Sequence, residues 1–118
     1  MDGKGLYKCH SETKELGSMC HSTKNRVIQH LCDHSGEKCK YLKSYLQCLM
    51  KMECYCDYIG VCCCEIEKLS HHCVSELHHC CGELIKCCAN VSKHFDNHDY
   101  LNCTKIESLC KSCMKIKQ

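Results

Sequence analysis

Hydrophobic and thiol positions recur along this chain in alternating steps of three and four residues, the period of an amphipathic helix. Four helical segments result. The first spans about residues 6–31, with the inward series Leu6, Cys9, Thr13, Leu16, Cys20, Thr23, Val27 and Leu31. Asp33-His34-Ser35-Gly36 breaks it, with Gly36 as a stop. The second spans 37–69 and has the cleanest series: Tyr41, Tyr45, Cys48, Met52, Tyr55, Ile59, Cys62, Ile66 and Leu69, flanked by Leu42, Leu49, Cys56 and Cys63. The third spans 71–94 behind the cap residue Ser70. It carries Cys73, Leu77, Cys80, Leu84, Cys87 and Val91, with Val74, Cys81, Cys88 and Phe95 alongside. The fourth, 98–115, follows the cap residues Asp96 and Asn97 and carries Cys103, Ile106, Cys110 and Cys113. Its Lys-rich end suits a helix C-terminus. Short connections make neighbours antiparallel. The pattern therefore predicts an all-α fold, an up-down-up-down antiparallel four-helix bundle with a Cys-lined interior, in one domain over 1–118. Gly17, Gly60 and Gly82 fall inside these helices, each weakening its helix, and are candidates for close helix approach.

Composition explains what fills such a bundle. Leu, Ile, Val and Phe together number 22 of 118 residues, below the ~20% of an ordinary packed core. The shortfall is met by 18 cysteines, since a protonated Cys behaves as a small hydrophobe. The formal net charge is only +2, with acids and bases interspersed, so there is no electrostatic footprint for nucleic acid. No stretch approaches a membrane span. Met1-Asp2-Gly3-Lys4-Gly5 lacks an apolar run of signal-peptide length, so the expected location is the cytoplasm. Thiols there are kept reduced, and a dense cysteine pattern then points to metal rather than to disulfides. The absence of proline and scarcity of glycine also argue against a loop-rich disulfide scaffold.

Thiolate is a soft ligand, selecting Cu(I), Zn or iron–sulfur clusters. Finger-type zinc sites need paired C-x2-C units, and here Cys110-x2-Cys113 stands alone. Iron–sulfur ligands cluster in short loops, whereas these cysteines spread over four helices. Cu(I) accepts two or three thiolates, and cysteines three, four or seven apart on facing helices can supply them along a tube. Sixteen cysteines form the expected metal-ligand set: Cys9, Cys20, Cys32, Cys39, Cys48, Cys56, Cys62, Cys63, Cys73, Cys80, Cys81, Cys87, Cys88, Cys103, Cys110 and Cys113. Cys54 and Cys64 fall off the inward stripes and are expected to face outward. The Cys110–Cys113 pair also matches a thiol-redox motif, but it lies late in its helix, where the dipole disfavours thiolate.

From Cys48 onward the chain resembles the cytosolic four-helix-bundle copper storage proteins. The carrying stretches are CVSELHHCCGELIKCCANVSKH, from Cys73 to His94, and FDNHDYLNCTKIESLCKSCMK, with its C-x6-C-x2-C on Cys103, Cys110 and Cys113. The resemblance covers about two thirds of the chain; the first segment matches only in period. Departures are the single alanine, Ala89, and Leu77, Leu84, Val91 and Ile106 where the family places cysteine. Doubled and tripled cysteines at 80–81, 87–88 and 62–64 stand in their place. The resemblance implies a non-enzymatic protein that holds many Cu(I) ions per chain for storage or buffering, as a homotetramer. The competing expectation is a Zn/Cd-binding detoxification protein of metallothionein-like chemistry on a helical frame.

The up-down order gathers His30, His34, His94 and His98 at one end of the bundle, as polar loop residues or as a mouth that passes Cu(I) inward. His71 and His72 gather at the other end, with His10 and Met114. His78 and His79 are expected at the surface. Tyr41, Tyr45 and Tyr55 are expected as core fillers with a polar tip, and Met52 as core.

Overall fold

In a computed structural model the chain forms α1 (Gly3–His30), α2 (Glu37–Glu65), α3 (His71–His94), a 3-10 turn (Asp99–Leu101) and α4 (Cys103–Met114). The structure describes the backbone of residues 3–31, 36–65, 71–95 and 99–115 and the side chains of 11–31, 36–59, 73–95 and 100–115. Helix α1 packs on α2, α2 on α3, α3 on α4 and α4 back on α1. Cross-helix contacts fix the directions. Glu53 reaches back to His21 and Lys24. Cys87 meets Cys48, Cys81 meets Cys110, and Asn102 meets Thr23. In each pair a later residue on one helix faces an earlier one on its neighbour. The result is the expected up-down-up-down four-helix bundle, 49 × 21 × 20 Å. Its long axis matches the roughly 42 Å rise of 28 helical residues.

The buried stripe of α1 is the predicted one: Thr13, Leu16, Cys20, Thr23 and Val27 are each inaccessible to solvent. On α2 and α3 the core-facing line runs between the two predicted columns. Leu42, Tyr45, Leu49, Met52, Cys56 and Ile59 are buried on α2, while Tyr41, Cys48 and Tyr55 are half-buried at the stripe's edge. On α3 the deep line is Val74, Leu77, Cys81, Leu84, Cys88, Val91 and Phe95, with Cys73 and Cys80 close behind and Cys87 half-buried. Each line is an unbroken alternation of threes and fours. The interior is therefore largely hydrocarbon interrupted by thiols, not a continuous thiol wall.

Gly17 explains itself. A Cβ there would lie 2.9 Å from the Cβ of Cys56, so α1 and α2 cross closely where α1 lacks a side chain. At Gly82 a Cβ would meet nothing within 4 Å; that glycine serves no close approach. Gly36, with φ +70°, precedes α2 rather than capping α1, and its carbonyl accepts the Lys40 N–H at 3.4 Å. Helix α4 starts at Cys103, later than the predicted 98. Asn102 takes the left-handed conformation, φ 48°, which Asn tolerates, and this separates the 3-10 turn from the helix. Its side chain does not cap α4; Nδ2 donates instead to Thr23 Oγ1 at 2.9 Å, tying the turn to α1. The predicted caps Ser70, Asp96 and Asn97, together with Leu6, Ile66 and Leu69, lie outside the described side chains, as do the surroundings of Gly60.

Candidate metal centre

The thiols on the deep lines meet inside the bundle. Cys20 from α1, Cys56 from α2, Cys81 from α3, and Cys110 and Cys113 from α4 are all buried, four of them at 0% exposure and Cys56 at 4%. Cys81 hydrogen-bonds to Cys110 and Cys113 and has Cys56 nearby; Cys20 has Cys56 and Cys113 nearby. All four helices thus contribute sulfur to one mid-bundle region. Burial raises the Cys20 thiol well above its ordinary value, and Cys56, Glu53 and Cys113 reinforce this. Hydrogen bonding, from Cys110 first, does the same at Cys81, and from Cys81 at Cys113. A raised pKa means that these thiols are protonated and neutral at pH 7, as a core requires.

A second group lies further along, where α3 faces the start of α4. Cys88 and Cys103 are hydrogen-bonded, with Tyr45 and Ser92 completing the set around Cys103. The hydrogen bond from Cys88 is the main cause that lowers Cys103 to about 6, against an opposing push from burial; Ser92 assists. Cys88 is correspondingly raised. Cys103 is also the first residue of α4, where the helix dipole favours an anion. The Tyr45 hydroxyl donates to the Leu101 carbonyl, so the polar tip expected of this core tyrosine anchors the 3-10 turn.

A third group lines the α2–α3 seam. Cys48 Sγ and Cys87 Sγ are 2.6 Å apart, both half-buried, and Cys80 lies two turns back along α3 from Cys87. The hydrogen bond from Cys87 lowers the Cys48 thiol and raises Cys87 in return. Burial raises Cys80. Two turns beyond Cys48 along α2, the Tyr55 hydroxyl donates to the Cys73 carbonyl at 2.7 Å.

Cys39 is half-buried in the first turn of α2, and Cys54 is exposed on the outer wall, as its register implied. The side chains of Cys9, Cys32, Cys62, Cys63 and Cys64 lie outside the described residues. Cys110 and Cys113 are fully buried, which leaves that C-x2-C pair without the exposed thiol that a redox motif presents. At the predicted mouth, His30 stacks on Tyr100 with ring centroids 4.1 Å apart, and His94 stacks on Tyr41 at 4.0 Å. His34 and His98 lie outside the described residues, as do the side chains of His10, His71 and His72. His78 is half-buried and His79 exposed. Sequence reasoning missed the Glu53 clamp. Glu53 takes His21 Nδ1 at 2.5 Å and Lys24 Nζ at 2.8 Å. Burial pushes its carboxyl up, but the bonds from Lys24 and His21 together outweigh that and leave it lowered. The signal was available: α1 and α2 run antiparallel, and 21, 24 and 53 fall at one height.

Among the described residues no three or more His, Cys, Asp or Glu side chains converge as a ready-made metal site. The sulfurs stand as hydrogen-bonded pairs and short chains instead. Neither a protein-family model, nor a curated protein, nor a solved structure matches this chain. Among the described residues no helix is long and apolar enough to cross a membrane.

Proposed function

We propose that this protein stores or buffers Cu(I), holding many ions per chain as cargo on cysteine thiolates inside and along the bundle. The observation that carries the reading is the gathering of thiols from all four helices: Cys20, Cys56, Cys81, Cys110 and Cys113 in the core, with Cys88–Cys103 and Cys48–Cys87 as paired sulfurs beside them. Pairs suit the chemistry. Cu(I) is satisfied by two soft ligands, whereas zinc takes four in a tetrahedron, and no four-ligand convergence is present among the described residues. Thiols that are protonated when empty must release protons to bind, so loading is coupled to pH. The reading includes a cytoplasmic location and a homotetramer, both carried by the family resemblance, and contains no catalytic step.

The reduced, metal-free protein is expected to be helical already, because hydrocarbon side chains outnumber thiols on the buried lines of α1, α2 and α3. Metal that binds this folded state and not the unfolded chain raises stability by mass action. Circular dichroism of the reduced apo-protein should show a helical spectrum, and thermal melts should rise with each Cu(I) equivalent. A coil spectrum that turns helical only with metal contradicts the preformed bundle. Stabilisation by zinc that copper cannot displace favours the zinc reading instead.

A further inference from the structure

The described thiols differ sharply in what can reach them. Cys81 touches Cys110 and Cys113, but all three are at 0% exposure. Cys103 is half-buried, but its partner Cys88 is at 1%. Cys54 is exposed on the outer wall. Cys48 and Cys87 combine both properties: each is half-buried, and their sulfurs lie 2.6 Å apart. They sit on different helices, 39 residues apart in sequence. The Cys87 thiol also reaches the Ser44 carbonyl at 3.8 Å, one turn back along α2, which keeps its side chain directed across the seam. The two sulfurs are thus in direct contact, the arrangement from which a disulfide bond forms.

We propose that Cys48 and Cys87 form a reversible intramolecular disulfide that pins α2 to α3, with a low-molecular-weight disulfide as the oxidant. The thiolate of one cysteine attacks a sulfur of the oxidant, forming a mixed disulfide and expelling one small thiolate. The thiolate of the second cysteine attacks the protein sulfur of that mixed disulfide, forming the Cys48–Cys87 bond and expelling the other small thiolate. Two protein thiols lose two electrons and two protons; the oxidant is reduced to two thiols. The core sulfurs are spared because neither an oxidant nor a mixed-disulfide adduct fits a site closed to solvent. This modification stands on the seam geometry alone, and it belongs to the metal-free protein, because a thiolate that holds a metal ion is not free to attack the oxidant.

The test uses the full-length, reduced, metal-free protein, oxidised glutathione as the probe, and acid quenching at intervals. Free thiols are then alkylated and tryptic peptides mapped by mass. The expected first intramolecular disulfide links the peptide 44–51, which holds Cys48, to 87–93, which holds Cys87 and Cys88; fragmentation places the bond on Cys87. It forms ahead of any disulfide among Cys20, Cys56, Cys81, Cys110 and Cys113, and a dithiol reductant reverses it. In Cys48→Ser or Cys87→Ser the linked peptide vanishes and the remaining seam cysteine stalls as a glutathione adduct. Circular dichroism of both variants confirms that the bundle persists, and the wild-type map decides the matter if a variant does not fold. A link through Cys88, an earlier disulfide among the core cysteines, or a seam pair still reduced after Cys54 has taken an adduct would each overturn the assignment.

Discussion

At the scale of single residues, two glycines in equivalent helical settings have opposite consequences. Gly17→Ala places a methyl 2.9 Å from the Cβ of Cys56. Overpacking of this kind costs about 1–3 kcal/mol, more than the ~1 kcal/mol that alanine returns in helix propensity. Gly82→Ala meets open space and keeps the propensity gain. Urea denaturation of the reduced proteins should show Gly17→Ala destabilised and Gly82→Ala stabilised by about 0.5–1 kcal/mol. Nothing in the sequence separates these two positions; only the crossing of α1 on α2 does. Cys103 is the second residue whose behaviour the fold dictates. Its thiol is lowered from 9.0 to about 6, chiefly by the hydrogen bond from Cys88. A lowered acid stabilises the fold only where it is ionised in the native state and still protonated in the unfolded one. Its contribution is therefore absent below pH 6, grows between pH 6 and 9, and is opposed above that by Cys88, which resists ionisation. The urea midpoint of the reduced apo-protein should rise over this window relative to Cys103→Ser. Parallel profiles for the two proteins would show that Cys103 is an ordinary thiol.

At the scale of elements, the sequence carried the helices and most of their faces, and the reason for the residual error is geometric. The α1 series Thr13, Leu16, Cys20, Thr23 and Val27 was legible because each residue continues a single alternation, and all five are buried. On α2 and α3 two parallel columns were equally apolar once cysteine is counted as a hydrophobe. The core line takes residues from both, as Leu77 with Cys81 and Leu84 with Cys88 show. Cysteine's ambiguity, half hydrophobe and half ligand, hid the rotation that leucine would have fixed. The start of α4 was illegible for a different reason: Asp96 and Asn97 resemble caps, yet the break falls at Asn102 through its backbone conformation. The refined register changes which thiols should matter. Replacing Cys81 and Cys88 by Ser, on the deep line of α3, should lower Cu(I) capacity by several ions, because sulfurs on other helices lose a partner. Replacing Cys54, which points outward, should cost one ion or none. Side-by-side titration of the two variants checks this, and equal losses would mean that copper is held on the outer wall.

At the scale of the whole molecule, the proposed Cu(I) storage requires a bundle that closes before any metal arrives. Hydrocarbon residues such as Leu16, Leu42, Leu49, Leu84 and Ile106 close the core without metal, and thiols between them stay neutral through burial and mutual hydrogen bonds. A chain with few aliphatics can then fold without metal, as the proposed storage role requires. The four-helix order was readable from period and loop length alone; the division of sulfurs into a core group, the Cys88–Cys103 pair and the Cys48–Cys87 seam was not, since it depends on helix rotation. Counting the bound ions separates bridged thiolates from isolated four-thiolate sites. The reduced protein is loaded with Cu(I) in the presence of a competing Cu(I) chelator, and the bound ions are counted by native mass spectrometry. Bridging by paired thiolates predicts a count approaching the 18 cysteines. Saturation at about four ions, the number that isolated four-thiolate sites would allow, or complete loss of copper to the chelator, would contradict it.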